Sequence, residues 1–315
     1  MLPRLLIALI AVGVFYIVYS RITIKSVIEV QPSPIASPSI EPSLSPSPSP
    51  SPTPKPTPSS TPKPSATPRP STTPTPAPPV NNSPPSSGYS RQSVNAGIGT
   101  YTVDIITADL NSTRVIVDTA SDSDCTNNCP VLPLATYVSR SGAYAGVNGS
   151  YFCPADYASC ADKSNSYDTL AMNKNKVYFN SSNNVYSSVP AVIFQGNSAR
   201  FVGQSSQWGR DSGVDAVLAN HPMTLAGGNV IFGGNSDPKQ GSRGNRSFVG
   251  TNGASTVYIG VVKNATVAEV GHVLKAMGLQ YALNLDSGGS TALYSGGYKV
   301  GPGRSIPNAL LFVVK

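Results

Sequence analysis

Between Pro32 and Pro85 the chain places 21 of its 30 prolines, alternating them with serine and threonine and with almost no apolar residue larger than alanine. Such a stretch has no side chains with which to offset the entropy of ordering, so it cannot contribute a core. It therefore divides the 315 residues into three parts: an apolar beginning at 1–25, a Pro/Ser/Thr-rich disordered stalk at 26–87, and a segment at 88–315. The last part, 228 residues long, is enough for one substantial domain and too little for two large catalytic ones.

The formal charge of +7 loses its meaning once the chain is divided. Residues 88–315 carry 16 Lys plus Arg against 13 Asp plus Glu, with no basic run of the kind that follows a phosphate backbone. Nucleic acid is not an expected partner.

An uninterrupted apolar run fills residues 5–19, with Arg21 and Lys25 beyond it. Fifteen residues fall short of the ~20 that span a bilayer, although tilt and the nearby Ile22 and Ile24 extend the run. No small-residue cleavage site follows. The expectation is an uncleaved signal anchor that makes the membrane a partner through an N-terminal helix, with a cleaved signal peptide and a secreted product as the alternative. Either reading places the C-terminal domain outside the cell.

Cysteine usage fits export, since Cys125, Cys129, Cys153 and Cys160 form an even, clustered set. Local pairing is expected, 125 with 129 and 153 with 160. Neither pair has the two-residue spacing of structural zinc sites, so no metal is expected, and no motif calls for a cofactor. In polyproline II form at ~3.1 Å per residue, residues 32–87 would reach roughly 170 Å, setting the domain well away from the membrane.

Within the domain, β-branched and aromatic residues mark strands at 101–107, 114–118, 191–195, 199–202, 256–262 and 310–314, with Gly196 and Asn197 at a hairpin. Thr266 and Glu269 form a capping box for a helix that stops at Gly278, and Glu269 is thereby explained without catalysis. A second helix is expected at about 132–140. Strands outnumber helices without alternating regularly, which predicts an α+β layered domain with a mixed or antiparallel sheet and a few packed helices.

Four segments have the residue types of a site. In the run 282–294, an apolar strand ends in Asp286 and turns through Ser287, Gly288, Gly289, Ser290 and Thr291, which can bring amides, hydroxyls and a carboxylate to one small volume. The run 146–152 sets Asn148, Gly149 and Ser150 before Tyr151 and Phe152. Arg246 leads the run 246–250, and His221 precedes Pro222.

Together these segments resemble the phosphodiester glycosidase family, which carries G-I-N-G-G-F-F, G-x-P-L, R-T-A-x-G and N-L-D-G-G-G-S-S elements in this order. The likeness spans roughly 97–315, with Ser150 and Ser287 standing where the family has glycine. It implies hydrolysis of a sugar-1-phosphodiester at the anomeric carbon–oxygen bond of a cell-envelope or extracellular glycan. By this resemblance the catalytic residues would be Asp286, His221 and Arg246. Asp286 would activate water or stabilise an oxocarbenium-like transition state, Arg246 would hold the phosphate, and His221 would be the remaining acid or base. Asn148, Gly149, Ser150, Gly288, Gly289, Ser290 and Thr291 would bind a carbohydrate or sugar-phosphate substrate. A non-catalytic glycan-binding module on a stalk is the alternative.

Overall fold

The computed structural model describes residues 79–180 and 187–315. The signal anchor expected at 1–25 and the stalk up to residue 78 lie outside the described residues. Among the described residues no helix is long and apolar enough to cross a membrane.

With elements numbered along the chain, a seven-stranded sheet runs β1 (Gly88–Asn95), β2 (Thr100–Asp109), β13 (Thr256–Ala265), β12 (Gly244–Thr251), β14 (Tyr281–Asn284), β10 (Met223–Ala226) and β11 (Asn229–Val230). A five-stranded sheet runs β16 (Tyr298–Val300), β15 (Leu293–Ser295), β4 (Ala145–Asn148), β17 (Asn308–Val314) and β3 (Thr113–Thr119). A second five-stranded sheet runs β6 (Tyr178–Phe179), β5 (Ala171–Met172), β9 (Ala216–Ala219), β7 (Ala191–Gln195) and β8 (Ser198–Val202). Every strand pair within these sheets is antiparallel.

This corrects the expected fold class. The domain is mostly β-sheet, three antiparallel sheets, and not an α+β layered domain. The reason lies in what fills the core. The largest apolar cluster draws Ile106, Val147, Phe194, Leu218, Val249, Leu283 and Phe312 from all three sheets and contains no helical residue. Sheet packs on sheet there, by interdigitation of inward-facing side chains.

The helices cover outer faces. The helix α1 (Leu134–Arg140) places Leu134, Tyr137 and Val138 against Leu311 and Val313, while α3 (Val267–Ala276) places Val270, Val273 and Leu274 against Val103, Ile105 and Phe248. A four-residue helix, α2 (Pro238–Gly241), begins at Asp237, whose carboxylate accepts the Lys239 amide at 2.8 Å.

Local expectations hold at the named elements. The capping box is formed in both directions, Glu269 N to Thr266 Oγ1 at 3.2 Å and Thr266 N to Glu269 Oε2 at 2.8 Å, and Gly278 takes the left-handed φ of +83°. The hairpin turns at Gly196 and Asn197, with Gln195 opposite Ser198. Both local disulfides are present, Cys125 with Cys129 and Cys153 with Cys160.

Candidate active site

The register of the seven-stranded sheet brings the motifs together. On β12 and β14 Phe248 faces Asn284, and Leu285 N donates to Ser247 O at 2.9 Å, so the chains carrying Arg246 and Asp286 leave this pairing at the same end of the sheet. On the other flank of β14, Asn284 N donates to Pro222 O at 3.0 Å, which places His221 at the same end of the sheet. Residues 25 and 40 positions apart thus come to one end of the sheet, His221 just before β10, Arg246 near the start of β12 and Asp286 just after β14.

They open on one cleft of about 420 Å³, lined among others by His221, Arg246, Asp286, Gly288, Gly289 and Ser290. The carboxylate of Asp286 is its most unusual group. Oδ1 accepts the Ser287 amide at 2.8 Å, whereas Oδ2 is buried without a hydrogen bond among the described residues. Burial pushes the carboxyl up to about 6, against the opposing pull of the Ser290 hydroxyl, the Ser287 amide and the Arg304 charge.

Arg246 is buried, and its guanidinium bonds carbonyls: Nε to Ala265 O at 3.0 Å, and Nη2 to Lys239 O at 2.8 Å and to Ser242 O. It forms no ion pair among the described residues. Desolvation lowers its pKa, as expected for a cation held in a wall without an anion. Such a group is poised for an anionic ligand.

His221 faces solvent in the cleft, yet the surrounding walls desolvate its imidazole enough to hold it below the ordinary histidine value, against Asp237 and Asp168. Its ring meets Tyr151 edge-on, centroids 5.0 Å apart. Asn284 Nδ2 ties the two residues, donating to Tyr151 Oη at 2.8 Å and to His221 O at 3.1 Å.

Asn148, Gly149, Ser150 and Thr291, expected to touch substrate, stand behind the cleft floor instead. Asn148 is fully buried; its Nδ2 donates to Asp286 O at 2.6 Å, and its Oδ1 accepts Ser247 Oγ at 2.7 Å and Ala292 N at 3.0 Å. Gly149 O accepts Asp286 N at 3.0 Å. Ser150 is clasped by Asn308, and Thr291 Oγ1 donates to Asn245 O at 3.2 Å. Asn148 is thus a strut that fixes the Asp286 backbone, with Asn220 playing the same part between Tyr151 N and Asn284 O.

The serine at 287 is accommodated. Its φ of −144° is extended backbone open to any residue, and its hydroxyl donates to Leu285 O at 3.2 Å and accepts Ser247 N at 3.3 Å. Gly288, at φ +65°, is the position that requires glycine.

Sequence reasoning missed Tyr157, Asp168, Lys239 and Arg304, all on the cleft wall. Tyr157 rides the loop closed by Cys153 and Cys160, and that pairing was the one signal that could have drawn notice to it. Asp168 has a raised pKa, chiefly from desolvation. Among the described residues no three His, Cys, Asp or Glu side chains gather to hold a metal ion.

A family model for phosphodiester glycosidases matches residues 141–313, more than half of the chain. No curated protein sequence matches. Among solved structures, a hypothetical protein from Synechocystis aligns with a TM-score of 0.54 at 12% identity, covering 72% of this chain and 62% of that one. The chain therefore spans less than two thirds of that protein. The catalytic domain of zebrafish N-acetylglucosamine-1-phosphodiester alpha-N-acetylglucosaminidase, auto-inhibited by its pro-peptide, aligns with a TM-score of 0.54 at 14% identity, covering 71% of this chain and 80% of that one. At such identities the two structures establish likeness of fold.

Proposed function

The chain belongs to the phosphodiester glycosidase family, and from that premise we propose that it hydrolyses a glycan sugar-1-phosphodiester at the anomeric carbon–oxygen bond, outside the cell. One observation carries this reading: a buried guanidinium without an anion and a carboxylate titrating near 6 share one cleft.

In the reaction, Asp286 as carboxylate takes a proton from water. The water oxygen bonds the anomeric carbon while the bond from that carbon to the phosphate oxygen breaks, and the electron pair leaves with the phosphomonoester. A base with a pKa near the working pH combines occupancy of its basic form with driving force for proton transfer. Arg246 holds the departing phosphate, helped by the Gly288 and Gly289 amides at the same wall. A phosphomonoester leaves readily, so less acid assistance is needed than in ordinary glycoside hydrolysis with its two carboxylates. His221, its imidazole held below the ordinary histidine value, faces the same cleft as the remaining acid or base. Two disulfides support placement outside a reducing compartment, and the N-terminal apolar run supports tethering to a membrane.

The test is turnover of a panel of synthetic sugar-1-phosphodiesters by the full chain in isotopically labelled water. The expected result is label in the released sugar and none in the phosphate, with activity lost by about a thousandfold in Asp286→Asn. Label in the phosphate would refute cleavage at the anomeric bond, and glycan binding without turnover would favour a binding module.

A further inference from the structure

The mouth of the cleft holds a second group of charges, to which the mechanism above gives no role beyond the pull of Arg304 on the Asp286 carboxyl. Tyr157, 38% exposed, is carried there by the loop between Cys153 and Cys160. Two cations lie over its ring, Lys239 Nζ at 4.5 Å and Arg304 Cζ at 5.5 Å from the centroid. With its π face committed to these cations, the ring is not an open platform for stacking a sugar. What the mouth presents to a ligand is positive charge.

Neither cation is neutralised in the way that a structural ion pair would be. Lys239 forms no ion pair among the described residues, although its charge acts on Asp168 across the cleft and its amide donates to Asp237. Arg304 meets Asp156 at 2.7 Å through Nη1 alone, and that aspartate is 65% exposed. The rest of its guanidinium lies against Gly289, where a Cβ would collide with it, so Arg304 joins the mouth to the Gly288 turn. Lys239 is joined inward as well, because its carbonyl accepts Arg246 Nη2 at 2.8 Å. Lys239 thus touches Arg246 through its backbone and Tyr157 through its ammonium.

From this arrangement we infer that the mouth is a second anion subsite, and that the substrate is a polyanionic glycan with a further phosphate or carboxylate on the aglycone side of the cleaved phosphodiester. The inference rests on the hydrolase reading above for which phosphate is cleaved. Two fixed cationic points favour a ligand whose two anions share one backbone, because the second contact is then intramolecular.

Binding of simple probes to the full chain tests the subsite without any turnover. Propane-1,3-diol bisphosphate and hexane-1,6-diol bisphosphate are compared by calorimetry with their monophosphates and with the matching phosphate–carboxylate compounds. At low salt at least one doubly anionic probe should bind about tenfold tighter than its monophosphate, the margin shrinking as salt is added. Whether the bisphosphates or the phosphate–carboxylates show the larger margin identifies the second group. The margin should vanish in Lys239→Gln/Arg304→Gln, with melting temperature confirming that the variant is folded. Equal affinity of probes with one and with two anionic groups at both lengths, or a margin that survives the double replacement, would overturn the subsite. Turnover of a diester with a neutral aglycone, measured on the same preparation, tests the hydrolase reading separately. Failure there with the margin intact defeats the chemistry and leaves the subsite standing.

Discussion

Burial pushes the Asp286 carboxyl up to about 6, and this makes its charge costly to the fold. The folded-state pKa lies above the ordinary carboxylate value, so the cost is fully present above about 6 and is relieved as pH falls through 6 toward 3.8. Asp286→Asn, which can still accept the Ser287 amide, should raise stability at pH 8 by about 2 kcal/mol or less and by little at pH 4, while turnover falls by about a thousandfold. Thermal melts across pH measure the first effect. Because the carboxylate is the working form, kcat/KM of the unaltered chain should rise with pH to a plateau, its acid limb centred near 6. A profile that falls through this range would make Asp286 an acid instead. Asn148→Ala would strand the Ser247 hydroxyl, the Ala292 amide and the Asp286 carbonyl in the interior, at about 2–3 kcal/mol in denaturant titration. The different outcomes for Asp286 and Asn148 mark what the sequence could reveal about the site. Both are polar residues beside glycines, and composition says that such runs gather polar groups without saying which side chain points outward.

Strand pairing, more than any single loop, determines where the site forms. Gly260 lies across from Phe248 on one side and Ile105 on the other, and a Cβ there would meet the Asp104 carbonyl at 2.5 Å and the Phe248 ring at 2.7 Å. Gly260→Ala should therefore spread β13 from β12 and cost about 1–3 kcal/mol by chemical denaturation. The strands β2, β3, β7, β8, β13 and β17 were legible because each carries several apolar or β-branched residues in sequence, whereas β1 and β12, eight residues each, interrupt theirs with glycine and polar residues and were missed. The strands β5, β6 and β11 have two residues each, too few for any period to register, and they exist because neighbouring strands supply their hydrogen bonds. This is also why the fold class was misjudged: alternation reveals that one face of a strand is covered, and leaves open whether a helix or another sheet covers it.

At the scale of the whole chain, Val80 bridges Ser93, and Gln92 Nε2 donates to Asn81 O and Ser83 O, so the residues just before β1 are fastened to the domain. Limited proteolysis of the full chain should cut first between residues 30 and 79 and leave a product beginning near there; early cuts within 190–300 would refute the domain boundary. The two disulfides close short loops, each contributing roughly 2–2.5 kcal/mol by chain entropy, so reduction should lower the melting temperature. They differ in reach. Only the link from Cys153 to Cys160 carries Tyr157, around which Lys239 and Arg304 are grouped. Cys153→Ala/Cys160→Ala should therefore weaken binding of the bisphosphate probes, where Cys125→Ala/Cys129→Ala leaves it intact. A chain that has not yet met an oxidant lacks the staple beneath this rim. Completion of the cleft wall then depends on a covalent oxidation as well as on packing.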